Sequence, residues 1–63
     1  MTIDIGQVRH DRLRGIVYIV VEWLDHDYWK VFILQGNTPL KPMTYIDWPT
    51  DALEEDEVVC ETT

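Results

Sequence analysis

Few residues in this chain have side chains suited to chemistry, and their spacing weighs against each of them. Asp25-His26-Asp27 sets carboxylate, imidazole and carboxylate in a row, and His10-Asp11 adds a second such pair. A metal site needs ligands converging from several elements, whereas neighbours in a strand or turn point in different directions. Asp25-His26-Asp27 therefore reads as a polar hairpin turn. Glu54-Glu55-Asp56-Glu57 lacks the alternating ligands and the glycine of a calcium loop and reads as solvated charge. There is no serine, which excludes a serine nucleophile, and Cys60 lies in an acidic segment, a poor setting for a reactive thiolate. The expectation is a protein without catalytic, metal-binding or cofactor-binding residues, and so not an enzyme.

The elements that could position a site must fit in 63 residues. Chains of that size bury only about 60% of their unfolded surface, so residues 1–60 are expected to form one domain around one core. With a single cysteine no internal disulfide can form, which suits a reducing, intracellular compartment. Glu22, Asp25 and Asp27 interrupt the longest apolar run, so no membrane span is expected, and Met1-Thr2-Ile3-Asp4 does not resemble a secretory signal. Support for so small a core is expected from a partner.

Charge is placed unevenly along the chain. Up to Ile46 five acids balance five bases, and the net charge of -7 comes entirely from Asp47, Asp51, Glu54, Glu55, Asp56, Glu57 and Glu61. Affinity for phosphate comes mainly from Lys and Arg, so this field disfavours nucleic acid and favours a protein partner with a basic surface. Arg9, Arg12 and Arg14, with His10, form the one basic cluster, and the acidic tail is expected to fold back and pair with it.

Most of the core material lies in residues 15–36. Residues 16–23 and 28–35 are β-branched or aromatic with few exceptions and read as two strands joined by Asp25-His26-Asp27. A three-residue loop sets Glu22 opposite Lys30, a favourable cross-strand pair. That register puts Val17, Ile19, Val21, Trp23, Trp29, Val31 and Ile33 in the core. It leaves Ile16, Tyr18, Val20, Phe32 and Leu34 on a second apolar face, and such faces commonly mark protein interfaces. A short first strand is expected over residues 3–9 and an edge or broken strand over 40–44, limited by Pro39 and Pro42. An aromatic bend over 45–49, a helical turn capped by Thr50 and a closing strand over 58–60 complete the order, with 61–63 frayed.

This order resembles the small SH3-like barrels, including the KOW and Tudor groups. Gly6-Gln7-Val8-Arg9, Gly15-Ile16-Val17, Tyr28-Trp29-Lys30-Val31 and Leu53-Glu54 look like the short SH3-like proteins that tailed bacteriophages encode, over residues 5 to about 55. The resemblance implies an all-β, five-stranded barrel with one short helical turn and an acidic C-terminal tail. Likeness to the Tudor group implies an aromatic cage. Tyr18, Tyr45 and Trp48 are its candidates, because the register consigns Trp23 and Trp29 to the core.

The functional expectation is a non-enzymatic accessory module that docks onto a larger protein assembly, virion or host complex. The docking residues would be Tyr18, Val20, Phe32 and Leu34, with Arg12, Arg14 or the acidic residues Asp51, Glu54, Glu55, Asp56 and Glu57 steering orientation. A homo-oligomer would use the same face. The alternative is an acidic mimic of DNA that occupies a nucleic-acid-binding protein.

Overall fold

The computed structural model describes residues 3–60. Five strands form one antiparallel sheet: β1 (Val8–Asp11), β2 (Ile16–Trp23), β3 (Tyr28–Gln35), β4 (Tyr45–Pro49) and β5 (Glu57–Cys60), in the order β4-β3-β2-β1-β5. A single helix, α1 (Thr50–Glu55), links β4 to β5. The fold is thus all-β with one short helix, but β4 and β5 are the two edges and the sheet does not close into the expected barrel. Residues 47–60 of the acidic segment are built into the fold, in β4, α1, the capping residue Asp56 and β5. Glu61 and the fraying expected over 61–63 lie outside the described residues.

The central hairpin has the expected bounds, and near its turn the expected register: Trp23 pairs with Trp29 and Glu22 with Lys30. Asp25 Oδ1 accepts hydrogen bonds from the Asp27 and Tyr28 amides, the local bonding that makes aspartate a turn residue. Beyond Glu22 the register slips, because Val20 pairs with Val31 and leaves Val21 as the extra residue of a β-bulge. A one-residue slip exchanges the two faces of a strand. The core side of β2 is therefore Ile16, Tyr18 and Val20, all fully buried, and the expected core residues Val17, Ile19 and Val21 are only half-buried on the other side. On β3 the assignment stands for Val31 and Ile33, both fully buried, while Trp29 is half-buried against them. Trp23, also expected in the core, is 51% exposed. A second irregularity, between Val17 and Tyr18, leaves Leu34 as the extra residue on β3 and restores the register at Val17 and Gln35.

The flanking elements differ from expectation in instructive ways. Residues 45–49 are a strand, because Ile46 and Trp48 alternate inward with Tyr45 and Asp47 outward, the period of a sheet. Residues 40–44 form no strand, and the first strand begins at Val8 after a turn in which Gly6 takes φ 94°. Thr50 is the first helical residue and not the cap, and its hydroxyl donates instead to the His26 carbonyl at 2.9 Å, tying the helix start to the hairpin turn. Trp48 and Leu53 complete the core of Ile16, Tyr18, Val20, Val31 and Ile33.

Candidate functional site

Strand register brings one row of side chains together across the whole outer face of the sheet. Cys60 pairs with Val8, Val8 with Ile19, Ile19 with Phe32, and Phe32 with Tyr45. Each sits opposite the next on a neighbouring strand, so the row is continuous from β5 to β4. The Phe32 and Tyr45 rings lie 4.8 Å apart at a tilt of 55°, a favourable aromatic contact. Tyr45 is 63% exposed and Cys60 is exposed, while Val8, Ile19 and Phe32 are half-buried. Beside this row runs a charged one, Glu22, Lys30 and Asp47. Lys30 Nζ lies 3.8 Å from Glu22 Oε1 and 5.8 Å from the Tyr45 ring centroid.

The inner face carries a polar network where apolar packing would be the default. On β1 the polar residues Arg9 and Asp11 point inward and Val8 and His10 outward, reversing the usual alternation. Arg9 is fully buried, donating from Nη1 to the Leu53 carbonyl at 2.6 Å and to the Asp56 carbonyl at 3.3 Å. It also donates from Nε and Nη2 to Gln7 Oε1 at 3.1 and 2.8 Å. Carbonyls at a helix C-terminus lack intrahelical donors, so the Arg9 guanidinium caps α1. Asp56 Oδ2 accepts hydrogen bonds from the Tyr18 hydroxyl and, at 3.2 Å, from Trp48 Nε1. Burial, the hydrogen bond and the Asp56 charge all push the Tyr18 phenol above its ordinary range. Asp11 has its ionisation opposed by burial, yet hydrogen bonds from the Arg14 side chain and from the Arg14 and Leu13 amides hold its carboxyl below the usual value of 3.8.

These geometries redistribute the sequence-predicted site residues. Tyr18 and Val20 are fully buried by the bulge at Val21 and cannot dock anything, whereas Phe32 remains on the outer row and Leu34, 45% exposed, on the outer side of β3. Val8, Ile19 and Tyr45 replace them, and the alternation in residues 45–49 was the signal that could have identified Tyr45. The aromatic cage does not form: Tyr18 and Trp48 pack in the core with ring centroids 5.9 Å apart, and Tyr45 is on the opposite face. The basic cluster is dispersed. Arg9 is buried, Arg14 pairs with Asp11 at 2.8 Å, and Arg12 pairs with Glu57 at 2.7 Å in the open. Of the acidic candidates, Asp51, Glu54, Glu55 and Glu57 are exposed, but Asp56 is buried in the polar network.

Among the described residues no group of histidine, cysteine and acidic side chains is arranged to hold a metal ion, and no helix is long and apolar enough to cross a membrane. No protein-family model, curated protein or solved structure matches the chain.

Proposed function

We propose that this chain is a non-enzymatic binding module, of the SH3-like kind that tailed bacteriophages encode, which docks onto a larger protein assembly. The observation that carries the docking reading is the apolar row Val8–Ile19–Phe32–Tyr45, continuous over four strands on the outward face. Outward faces of antiparallel sheets ordinarily alternate to polar residues, and contiguous exposed apolar surface marks an interface. The strand order, a four-stranded meander of β1 to β4 followed, after a single helix, by a fifth strand that pairs with β1, supports the SH3-like part of the reading. The expected occupant is a protein with an apolar strip flanked by cations, given the net charge of -7 and the two carboxylates of the Glu22-Lys30-Asp47 row.

The acidic-mimic alternative is weaker than its charge count suggests. Asp56 is committed to Tyr18 and Trp48, and Glu57 to Arg12. The two readings separate in one experiment: affinity capture from source cells with the wild-type chain, with Tyr45→Asp, and with the Asp51→Lys/Glu54→Lys double variant. All three substitutions are at exposed positions, so folding is expected to survive. Loss of the captured protein with Tyr45→Asp alone supports docking through the sheet face. Loss with the double variant alone overturns it in favour of the acidic surface.

A further inference from the structure

The two edges of the sheet are not alike. β5 is bulged where it pairs with Val8 and Arg9 of β1, and a bulge twists an edge away from further pairing. β4 pairs with β3 in unbroken register, from Tyr28 and Pro49 to Phe32 and Tyr45, and has no strand on its other side. Antiparallel pairs alternate between those that exchange both main-chain hydrogen bonds and those that exchange none. The sense of the alternation is fixed at both ends of β4: the Ile33 amide donates to the Thr44 carbonyl at 2.9 Å, and the Thr50 amide to the Asp27 carbonyl at 2.8 Å. Counting inward from either end, Ile46 and Trp48 bond to β3, while Tyr45 and Asp47 turn both N–H and C=O away from it.

Those outward main-chain groups make no other hydrogen bond among the described residues, and Tyr45 and Asp47 are both exposed. They recur two residues apart, the spacing at which an added strand presents its own donors and acceptors. Pro49, which has no N–H to offer, ends the edge before α1. The side chains set the sign of the occupant. Asp47 is in no ion pair among the described residues: Lys30, beside it on β3, instead lies 3.8 Å from Glu22 and over the Tyr45 ring. One cation thus stands between two carboxylates. A second copy of the chain is a poor occupant, since it brings another Asp47 and another net charge of -7 to the same edge.

We propose that β4 is the docking edge for an extended, basic segment of a partner protein, which adds to the sheet as a further strand antiparallel to β4. Its main chain exchanges hydrogen bonds with the N–H and C=O of Tyr45 and of Asp47, and a Lys or Arg side chain stands opposite Asp47. The site uses the backbone of Tyr45 and not its ring, so it does not rest on the apolar face, and the failure of either leaves the other standing.

The test is a titration of the ¹⁵N-labelled full chain with the capped peptide Ac-Thr-Lys-Val-Thr-Val-NH2, whose Lys is placed opposite Asp47 and whose second Thr is placed opposite Tyr45. Without peptide, the Tyr45 and Asp47 amides should exchange with solvent faster than those of Ile46 and Trp48. With peptide at about 1–10 mM they should shift and become protected. N-methylation of the peptide Lys, which removes a donor aimed at β4, should abolish the shifts, whereas N-methylation of the central Val, whose N–H points away, should keep them. Replacing the Lys by Glu should weaken binding by about fivefold, the scale of an exposed cross-strand charge pair. Asp47→Asn, at an exposed position, should remove most of that difference. Tyr45→Asp, which takes the ring out of the outer row, should still bind the Lys peptide. The proposal is overturned by an absence of shifts at about 10 mM, by equal effects of the two N-methyl groups, or by a preference for Lys over Glu that is missing in the wild type or unchanged in Asp47→Asn. It is equally overturned by shifts confined to Val8, Ile19 and Phe32, or by peptide-independent protection of Tyr45 and Asp47 that grows with protein concentration, the mark of a second copy on the edge.

Discussion

Tyr18→Phe removes one oxygen from a fully buried ring and leaves the ring itself in place, so its cost isolates the polar network from core packing. The lost hydroxyl is one of two side-chain donors to Asp56 Oδ2, the other being Trp48 Nε1 at 3.2 Å. A buried hydrogen bond to a charged group contributes roughly 1.5–3 kcal/mol, and removing one partner leaves the carboxylate under-solvated. A domain of this length has only about 3–5 kcal/mol to lose. At about 4–8 °C per kcal/mol for small domains, a loss of about 1.5–3 kcal/mol should lower the melting temperature by about 6–24 °C. Tyr28→Phe, at a tyrosine 44% exposed, is the control and should leave it within about 2 °C.

The same variant makes a second, pH-dependent prediction. The Tyr18 phenol is held above its ordinary value of 10.0 in the folded state, so the folded chain keeps a proton that the unfolded chain releases. Stability from this group is complete below pH 10 and declines as pH rises above it. Tyr18→Phe should flatten that alkaline decline in thermal scans. If its melting temperature matches the Tyr28→Phe control and the alkaline limb is unchanged, the network does not hold α1 and β5 to the sheet, and the structural account of Arg9, Tyr18 and Asp56 is wrong.

Other expectations follow from single features of the fold. Val20→Thr and Val21→Thr make the same isosteric change at neighbouring positions; the bulge predicts a cost of about 1–3 kcal/mol for buried Val20 and under about 0.5 kcal/mol for half-buried Val21, measured by urea denaturation. A regular hairpin would reverse that order. Gly36→Ala should cost about 3 kcal/mol or more, since a Cβ there would lie 2.0 Å from the Leu40 carbonyl oxygen; Gly15→Ala, with φ +69° but its nearest contact at 3.4 Å, should cost only about 1–2 kcal/mol. Asp11 has its carboxyl pKa lowered by Arg14 and the loop amides, so its stabilising effect is present above pH 3.8 and is lost as pH falls through the lower folded value. Asp11→Asn should therefore flatten the acid limb of a pH–stability curve. Arg12→Ala, at a pair exposed on both sides, should change stability by less than about 1 kcal/mol, a difference that shrinks as added salt screens the pair.

The sequence by itself determined the elements and their order. Runs of β-branched and aromatic residues set the bounds of β2 and β3, Asp25 supplied the turn, and the positions of the acids placed the net charge at one end of the chain. It also determined that both faces of the hairpin are apolar. What it did not decide was which face is the core, because two apolar faces give the alternation no preferred sense, and the single pair Glu22–Lys30 is satisfied whether or not a bulge follows. Tertiary structure settled that by inserting Val21, which turns Tyr18 and Val20 inward to meet Trp48, Leu53 and Asp56. Arg9 was illegible for a related reason. In sequence it stands among surface cations, and only the return of α1 and β5 brings the Leu53 and Asp56 carbonyls that require a buried donor. The outer row likewise depends on pairings between β1, β2, β3 and β4 that no local pattern specifies. Local sequence chose the strands; long-range pairing chose their faces, and with them the surface left for a partner.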